Sequence, residues 1–259
     1  MSYITCRLYG GLANQLWQVG STIGTAIANQ LPYKIPVQTG NPLIYPYYFN
    51  GWNLPRFKFP PDKVKKFYHE KAQTCQHIPV TRNKALCMDG YWQSVNYFRN
   101  HMGAVLDALN PVMLSVSQHE RDAMQGYVGI HVRRGDYTGA KPANMPDHWK
   151  PVAGIYPVTQ DYLLEAVRTF MQAGATKFRV FSDDIAWCKE ALKNKKYPLY
   201  EFSEDKNAMQ DMALLASCDG FILSYSTFSM WAVFFSRKYD NAIAVMPHAL
   251  PGLIHLEES

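Results

Sequence analysis

The chain has 259 residues, 47% hydrophobic and 18% charged, enough to bury one sizeable core or two small ones in an ordinary globular protein. Its formal charge of +5, from 26 basic and 21 acidic residues, suits an anionic substrate, but no Lys/Arg stripe supports nucleic-acid binding. Five widely spaced cysteines with no CxxC pair argue against a disulfide framework or structural zinc, and no apolar window reaches bilayer length, so a soluble, cytoplasmic chain is expected, without signal peptide or transmembrane segment, or the soluble catalytic part of something longer.

Tyr3 to Tyr9 alternates Ile4, Cys6 and Leu8 on one side, Gly10-Gly11 breaks the strand, and Leu12, Leu16, Val19, Ile23 and Ile27 recur at helical spacing. Pro32 to Pro61 is dense in Pro, Tyr, Phe, Trp and Asn with little periodicity, and reads as an ordered aromatic loop region whose rings either pack as core or meet a sugar. The basic run Lys63 to Lys66 is read as a solvated face.

From Gly126 onward, strands and helices alternate. Strands are expected at Gly126–Val132, Phe178–Ser182, Pro198–Phe202, Phe221–Tyr225 and Ala242–Met246, and helices at Thr159–Ala173, Ile185–Asn194, Asn207–Ser217 and Thr227–Lys238. That alternation implies a mainly parallel sheet covered on both faces. A boundary near residue 120, after the polar stretch Ser115 to Arg121, divides the chain into units 1–120 and 121–259.

Four stretches fall at strand ends, where an open α/β sheet gathers its ligands. The first, Gly10-Gly11-Leu12-Ala13-Asn14-Gln15, combines glycines with a helix amino terminus that offers N–H groups to an anion; Asn14 reads equally as a capping amide. No third glycine completes a GxGxxG fingerprint, so a nicotinamide-dependent oxidoreductase loses its main support. The second, His131-Val132-Arg133-Arg134-Gly135-Asp136-Tyr137, sets two guanidiniums at a glycine turn, suited to a phosphate or to solvated ion pairs. The third, Phe181-Ser182-Asp183-Asp184, carries carboxylates that cap the next helix or accept from a ribose or guanine. In the fourth, Ser224-Tyr225-Ser226-Thr227-Phe228-Ser229, hydroxyls at a helix start make a phosphate cradle or simply cap the helix.

Taken together, GGLANQLWQ, HVRRGDY, FSDD and SYSTFSMWA resemble, in order and rough spacing across about residues 8 to 235, the blocks of the α-1,2-fucosyltransferases, glycosyltransferase family eleven. The pairing of HVRRGDY with the STFS block is the specific part, while Pro32 to roughly Arg99 does not align. The resemblance implies an α/β, GT-B-like fold of two Rossmann-like halves with mainly parallel sheets facing a cleft, the first half acceptor-side and the second GDP-fucose-binding. It implies inverting transfer from GDP-β-L-fucose to the 2-hydroxyl of a terminal β-galactoside, with a galactoside-terminated glycan as partner, no cofactor and no metal. By motif position, Arg133 would hold the β-phosphate and His131 would lie against the nucleotide. Asp183 and Asp211 match nucleoside-contacting positions, Ser226, Thr227, Phe228 and Ser229 complete the phosphate and base pocket, and Asn14, beside Gly11, faces the reacting centre.

The general base is open at this stage. Asp136 is the candidate inside the motif, although a carboxylate beside Arg133 and Arg134 also reads as an ion-pair partner, and a permanently paired carboxylate is a poor base. Related α-1,6 enzymes carry a glutamate where this chain has Gly139-Ala140-Lys141, and Asp147 and His148 follow in the loop. Ala13 stands where the family usually has glycine. The competing readings are a GDP-fucose enzyme of other linkage, α-1,6 or protein O-fucosyl, and a non-catalytic glycan-binding module.

Overall fold

The structure, a computed structural model, describes residues 2–37, 46–57, 66–71, 75–80, 84–139, 156–193, 200–204, 206–236 and 243–247. Asp147, His148, Ala140 and Lys141 lie outside the described residues. The chain divides into two compact units, the first built on Met1–Pro111 and the second on Val112–Leu250.

In the amino-terminal unit, β1 (Ile4–Cys6) runs into α1 (Leu12–Ala28), as the alternation and helical spacing predict. A short parallel pair follows, β2 (Ile35–Pro36) with β3 (Arg56–Phe57), inside the stretch read as loop. Then come β4 (Lys66–His69), β5 (Leu86–Asp89) and α2 (Met102–Leu109). The main sheet has the order β1-β5-β4, all parallel. Helix α1 is buried on most of its surface, polar side chains included. Two of its buried hydroxyls are satisfied: Ser21 Oγ donates to the Trp92 carbonyl, 71 residues away, at 2.9 Å and Thr22 Oγ1 to the Gln18 carbonyl at 2.7 Å. A buried hydroxyl left without a partner would cost about 1–3 kcal/mol.

The carboxyl-terminal unit contains α3 (Gln118–Asp122), β6 (Tyr127–Val132), α4 (Gln160–Gln172), β7 (Lys177–Ser182), α5 (Ile185–Ala191) and β8 (Tyr200–Phe202). It continues through α6 (Ala208–Ala216), β9 (Gly220–Ile222), α7 (Thr227–Phe235) and β10 (Ile243–Val245). Every strand and helix expected after Gly126 is present, its described ends within three residues of the expected ones. The helix starts carry their own stops: Thr159 accepts from the Tyr162 N–H, and Asn207 with Gln210 forms a reciprocal capping box.

The five strands are parallel in the order β10-β9-β6-β7-β8. The chain winds outward from β6 through β7 to β8, then returns to β6's other side for β9 and β10. This is the doubly wound order, with its switch point between β6 and β9, where the crevice beyond the strand ends receives ligands. Along β6 the pleat separates two faces. Val128, Ile130 and Val132 join Leu163, Val167 and Phe170 of α4 in one core cluster. Gly129 faces the other way, where a Cβ would come within 2.5 Å of the Leu215 side chain, so glycine is what lets α6 close onto the strand.

Candidate active site

The switch point brings together most of the residues singled out from the sequence. His131, on the same face of β6 as Gly129, is buried with Nδ1 2.7 Å from Ser229 Oγ and 3.0 Å from Ser224 Oγ. Its ring stacks on Phe228 at a centroid distance of 4.8 Å and 18° between planes. Burial, with a smaller contribution from the Arg133 charge, holds its pKa down at about 3. A neutral imidazole therefore ties β6 to the start of α7. Ser224 completes the tie, accepting from the Arg133 backbone N–H at 3.0 Å through its hydroxyl and from Ser229 Oγ at 3.0 Å through its carbonyl.

Ser226 caps α7, accepting from the Phe228 N–H, and Thr227 is the first helical residue. The first turn of α7 holds no acidic side chain, so the partial positive charge of the helix start is not offset from within the helix. Tyr137, whose hydroxyl hydrogen-bonds the Ser226 side chain, links this cap to the arginine turn.

Arg133 is fixed between two carboxylates. Its Nε and Nη2 donate to Asp136 Oδ1 at 3.1 and 2.7 Å, and Nη1 is ion-paired with Asp183 Oδ2 at 2.8 Å. Burial works to lower the Arg133 pKa, and Asp183 and Asp136 outweigh it and raise it. The side chain remains 38% exposed, so the guanidinium is held rigidly yet within reach of a ligand. Asp183 also accepts from the Arg134 N–H at 2.9 Å, and at Gly135 a Cβ would come within 2.6 Å of its Oδ2. Glycine at 135 thus allows the carboxylate to cross the turn. Arg134 points elsewhere, stacked at 3.9 Å over Trp187 and paired with Asp184 at 3.1 Å. Asp184 in turn caps α5.

Two guanidiniums surrounded by three carboxylates make a turn far closer to neutral than the arginines alone imply. Its use for an anion lies in direction, a pinned fork beside a helix start, rather than in excess charge. Asp136 is engaged in the fork through Oδ1. Asp183, expected at a nucleoside, braces the same turn.

Asp211 stands apart from this group. It sits in the first turn of α6, beyond the end of β8, and accepts from Ser203 Oγ at 2.6 Å. Burial pushes its pKa up to about 6, against the lowering effects of the Ser203 hydrogen bond and of Arg179 and Lys206.

In the amino-terminal unit, the turn after β1 depends on Gly10, which has φ +81 and where a Cβ would come within 2.6 Å of Asn14 Nδ2. Gly11 has open space around it and serves as the N-cap of α1 with no side-chain cap bond. Gln15 donates to the Gly10 carbonyl at 2.9 Å, and Gln18 exchanges hydrogen bonds with the Tyr9 backbone. Asn14 Oδ1 accepts from Gln93 Nε2 at 3.0 Å, so its amide is oriented by a residue 79 positions away that no sequence signal marks. Trp187 and Gln93 are the parts of these constellations that sequence reasoning missed.

A model of glycosyl transferase family 11 matches residues 3–252. The chain belongs to glycosyl transferase family 11. An Escherichia coli alpha-1,2-colitosyltransferase is 25% identical to this family 11 chain over 95% of it and 92% of that protein. A galactoside alpha-(1,2)-fucosyltransferase 1 from Leontopithecus chrysomelas is 34% identical over 44% of this chain, a match that spans only 30% of that protein. Among solved structures, POFUT1 in complex with GDP aligns with a TM-score of 0.53 at 14% identity, covering 96% of this chain and 98% of that one. An Arabidopsis thaliana FUT1 variant in complex with GDP aligns at a TM-score of 0.50 and 10% identity, covering 90% of this chain and 68% of that one. These likenesses establish the α/β, GT-B-like fold expected of the family 11 chain. Among the described residues no helix is long and apolar enough to cross a membrane.

Proposed function

We propose that the protein is an inverting galactoside α-1,2-fucosyltransferase that moves L-fucose from GDP-β-L-fucose to the 2-hydroxyl of a terminal β-galactoside. The observation that carries this reading is the pinned Arg133 fork beside the α7 start at the switch point of the carboxyl-terminal sheet. As the glycosidic bond breaks, negative charge grows on the β-phosphate oxygen, and donors fixed before the reaction stabilise it without reorganising. Arg133 supplies a directional cation, and Thr227 and Ser229 supply the helix start. His131, neutral and stacked on Phe228, shapes the pocket wall without adding charge. Asp136 and Asp183 position Arg133, and Asp211 meets the nucleoside. With the leaving group handled by these groups, transfer proceeds without a metal. Asn14 is assigned to the reacting sugar. Cys6, Cys87, Cys188 and Cys218 are buried thiols, which suits a reducing compartment, and a cytoplasmic location is part of this reading.

A second donor has its own support: the E. coli relative that matches 95% of the chain is a colitosyltransferase, and colitose is L-fucose without its 3-hydroxyl. The test is GDP release by the purified protein in EDTA, from GDP-fucose and GDP-colitose in parallel, with and without lactose or N-acetyllactosamine. Linkage is read by NMR. Galactoside-stimulated release from GDP-fucose with an α-1,2 product meets the proposal. Preference for GDP-colitose moves the assignment to the second donor, and release without galactoside stimulation reopens α-1,6 and protein O-fucosyl acceptors. Absence of GDP binding would leave a glycan-binding module.

A further inference from the structure

A second polar cluster lies at the carboxyl ends of β1, β5 and β4, and nothing in the donor site uses it. Asp89 is its centre. Its Oδ2 accepts from Arg7 Nη1 at 3.1 Å and from His69 Nδ1 at 3.0 Å, and its Oδ1 from the Tyr9 hydroxyl at 3.5 Å. The carboxylate is 13% exposed, whereas the His69 ring above it is 71% exposed. A carboxylate on Nδ1 fixes the imidazole's orientation and, in the neutral ring, leaves Nε2 as the hydrogen-bonding atom.

The neighbouring turn is held in an expensive conformation. Trp92, a bulky residue, has φ +56, a region that L-residues avoid at a cost of about 1–2 kcal/mol. Glu70 stabilises the turn by accepting from the Tyr91 and Trp92 N–H groups at 2.7 and 3.1 Å. Tyr91, 41% exposed as a residue, stands at the surface, supported edge-on by Tyr9 at 5.1 Å, one residue before the Trp92-Gln93 segment that reaches Asn14.

An exposed aromatic ring beside oriented hydrogen-bonding groups is the chemistry of a pyranose site: the ring meets the C–H face of the sugar, and the polar groups select its hydroxyls. The cluster does not suit a phosphate, since Arg7 is already matched by Asp89 and Glu70 adds negative charge. A galactopyranose, with its axial 4-hydroxyl, presents one face of contiguous C–H bonds and the opposite arrangement of donors and acceptors. We infer that Tyr91 and His69 bind the galactoside acceptor, Tyr91 by stacking and His69 by a hydrogen bond to a sugar hydroxyl, with Asp89 as the positioning residue beneath it. The identity of the sugar rests on the fucosyltransferase reading; the carbohydrate site rests on the cluster itself.

Two measurements on the full chain separate these. Lactose binding without any donor is read by saturation-transfer NMR, and acceptor and donor KM, GDP affinity and melting temperature are measured for wild type, Tyr91→Ala, Tyr91→Phe and His69→Ala. The expected result is an acceptor KM raised about tenfold in Tyr91→Ala and in His69→Ala. GDP affinity, donor KM and melting temperature should stay at wild-type values, and Tyr91→Phe should recover stacking. Loss of the lactose signal in Tyr91→Ala, in a protein that releases no GDP from GDP-fucose, would keep the sugar site and overturn the donor reading. Wild-type lactose binding in both alanine variants, or no lactose binding by the wild type, would overturn the site. A lowered melting temperature with unchanged acceptor KM would reduce the cluster to a clamp on the strand ends and likewise overturn it.

Discussion

The two strand-end constellations differ in the residue types they gather. In the carboxyl-terminal unit a local pair, Arg133 and Asp136, and the capping run of α7 are joined by Asp183 and by the His131–Ser229 contact across 98 residues. In the amino-terminal unit the Asp89 cluster gathers Arg7 from β1's end and His69 from β4's, the first of them 82 residues away. A developing phosphate charge calls for a cation and a helix start, residue types that stand out in any sequence. A sugar hydroxyl is met by ordinary polar side chains, which become a site only once parallel strands bring their ends into one row.

The comparison breaks first at Arg133. Arg133→Ala removes the fork and leaves Asp136 and Asp183 without their shared cation, so kcat/KM for GDP-fucose should fall about 10³-fold, at the upper end for loss of one transition-state donor. Arg133→Lys keeps the charge and loses the two-pronged geometry, and should recover only part of the rate. Steady-state GDP release checks both, and wild-type-like turnover in the alanine variant would remove the phosphate assignment.

Next in size is the acid sensitivity of the His131 tie. Its folded-state pKa of about 3 lies below the ordinary 6.5, so the unfolded chain binds the proton first. Stability from this group is complete above pH 6.5 and is lost as pH falls toward 3, at up to about 1.4 kcal/mol per pH unit. Urea midpoints between pH 7.5 and 4.5 should decline in the wild type, and the decline should flatten in His131→Gln. An equal decline in both would mean that other groups carry the acid response.

Much of the carboxyl-terminal unit was legible because its signals are local. Strand, turn and helix alternate at short range, caps such as Thr159 and Asn207 sit where the hydrophobic pattern begins, and the parallel sheet follows from the alternation, while the strand order is seen only in the structure. What stayed hidden there is pairing: nothing in the sequence says that Arg134 turns away to Trp187 or that Asp183 crosses the turn over Gly135. In the amino-terminal unit, β5 carries Leu86-Cys87-Met88 as a short apolar run between polar loops, too brief to mark a strand until β1 and β4 flank it. The Gly10-Gly11 pair drew attention to the right turn, yet only the backbone dihedral shows that Gly10, not Gly11, is the position where glycine is required.

Asp136 sharpens the comparison within the arginine turn. If it holds the fork, Asp136→Asn should lower kcat/KM about tenfold, keeping a shorter set of hydrogen bonds to Arg133, and the pH–rate profile should keep its shape. A much larger loss of kcat together with disappearance of the acidic limb of the profile would instead make Asp136 the base.

The smallest expected effect comes from Asp211, and it tests how far the legible site extends across the carboxyl-terminal sheet. Burial raises its pKa from the usual 3.8 to about 6, so its contribution to stability is fully present below pH 3.8 and is lost as pH rises through 6. At neutral pH the buried carboxylate is a cost, partly met by Ser203, Arg179 and Lys206. Asp211→Asn can keep the hydrogen bond from Ser203 and removes the charge, so it should stabilise the protein at pH 7.5 relative to pH 4.5 by about 1 kcal/mol after solvent screening, read from paired urea midpoints. The same variant decides what the cost is for. A carboxylate that meets the nucleoside should show itself as weaker GDP binding in Asp211→Asn at pH 7.5, and as wild-type affinity that falls when pH drops below about 6. Undiminished GDP affinity in the variant would confine the donor site to the β6–β9 switch point and leave Asp211 as a partner of Ser203 alone.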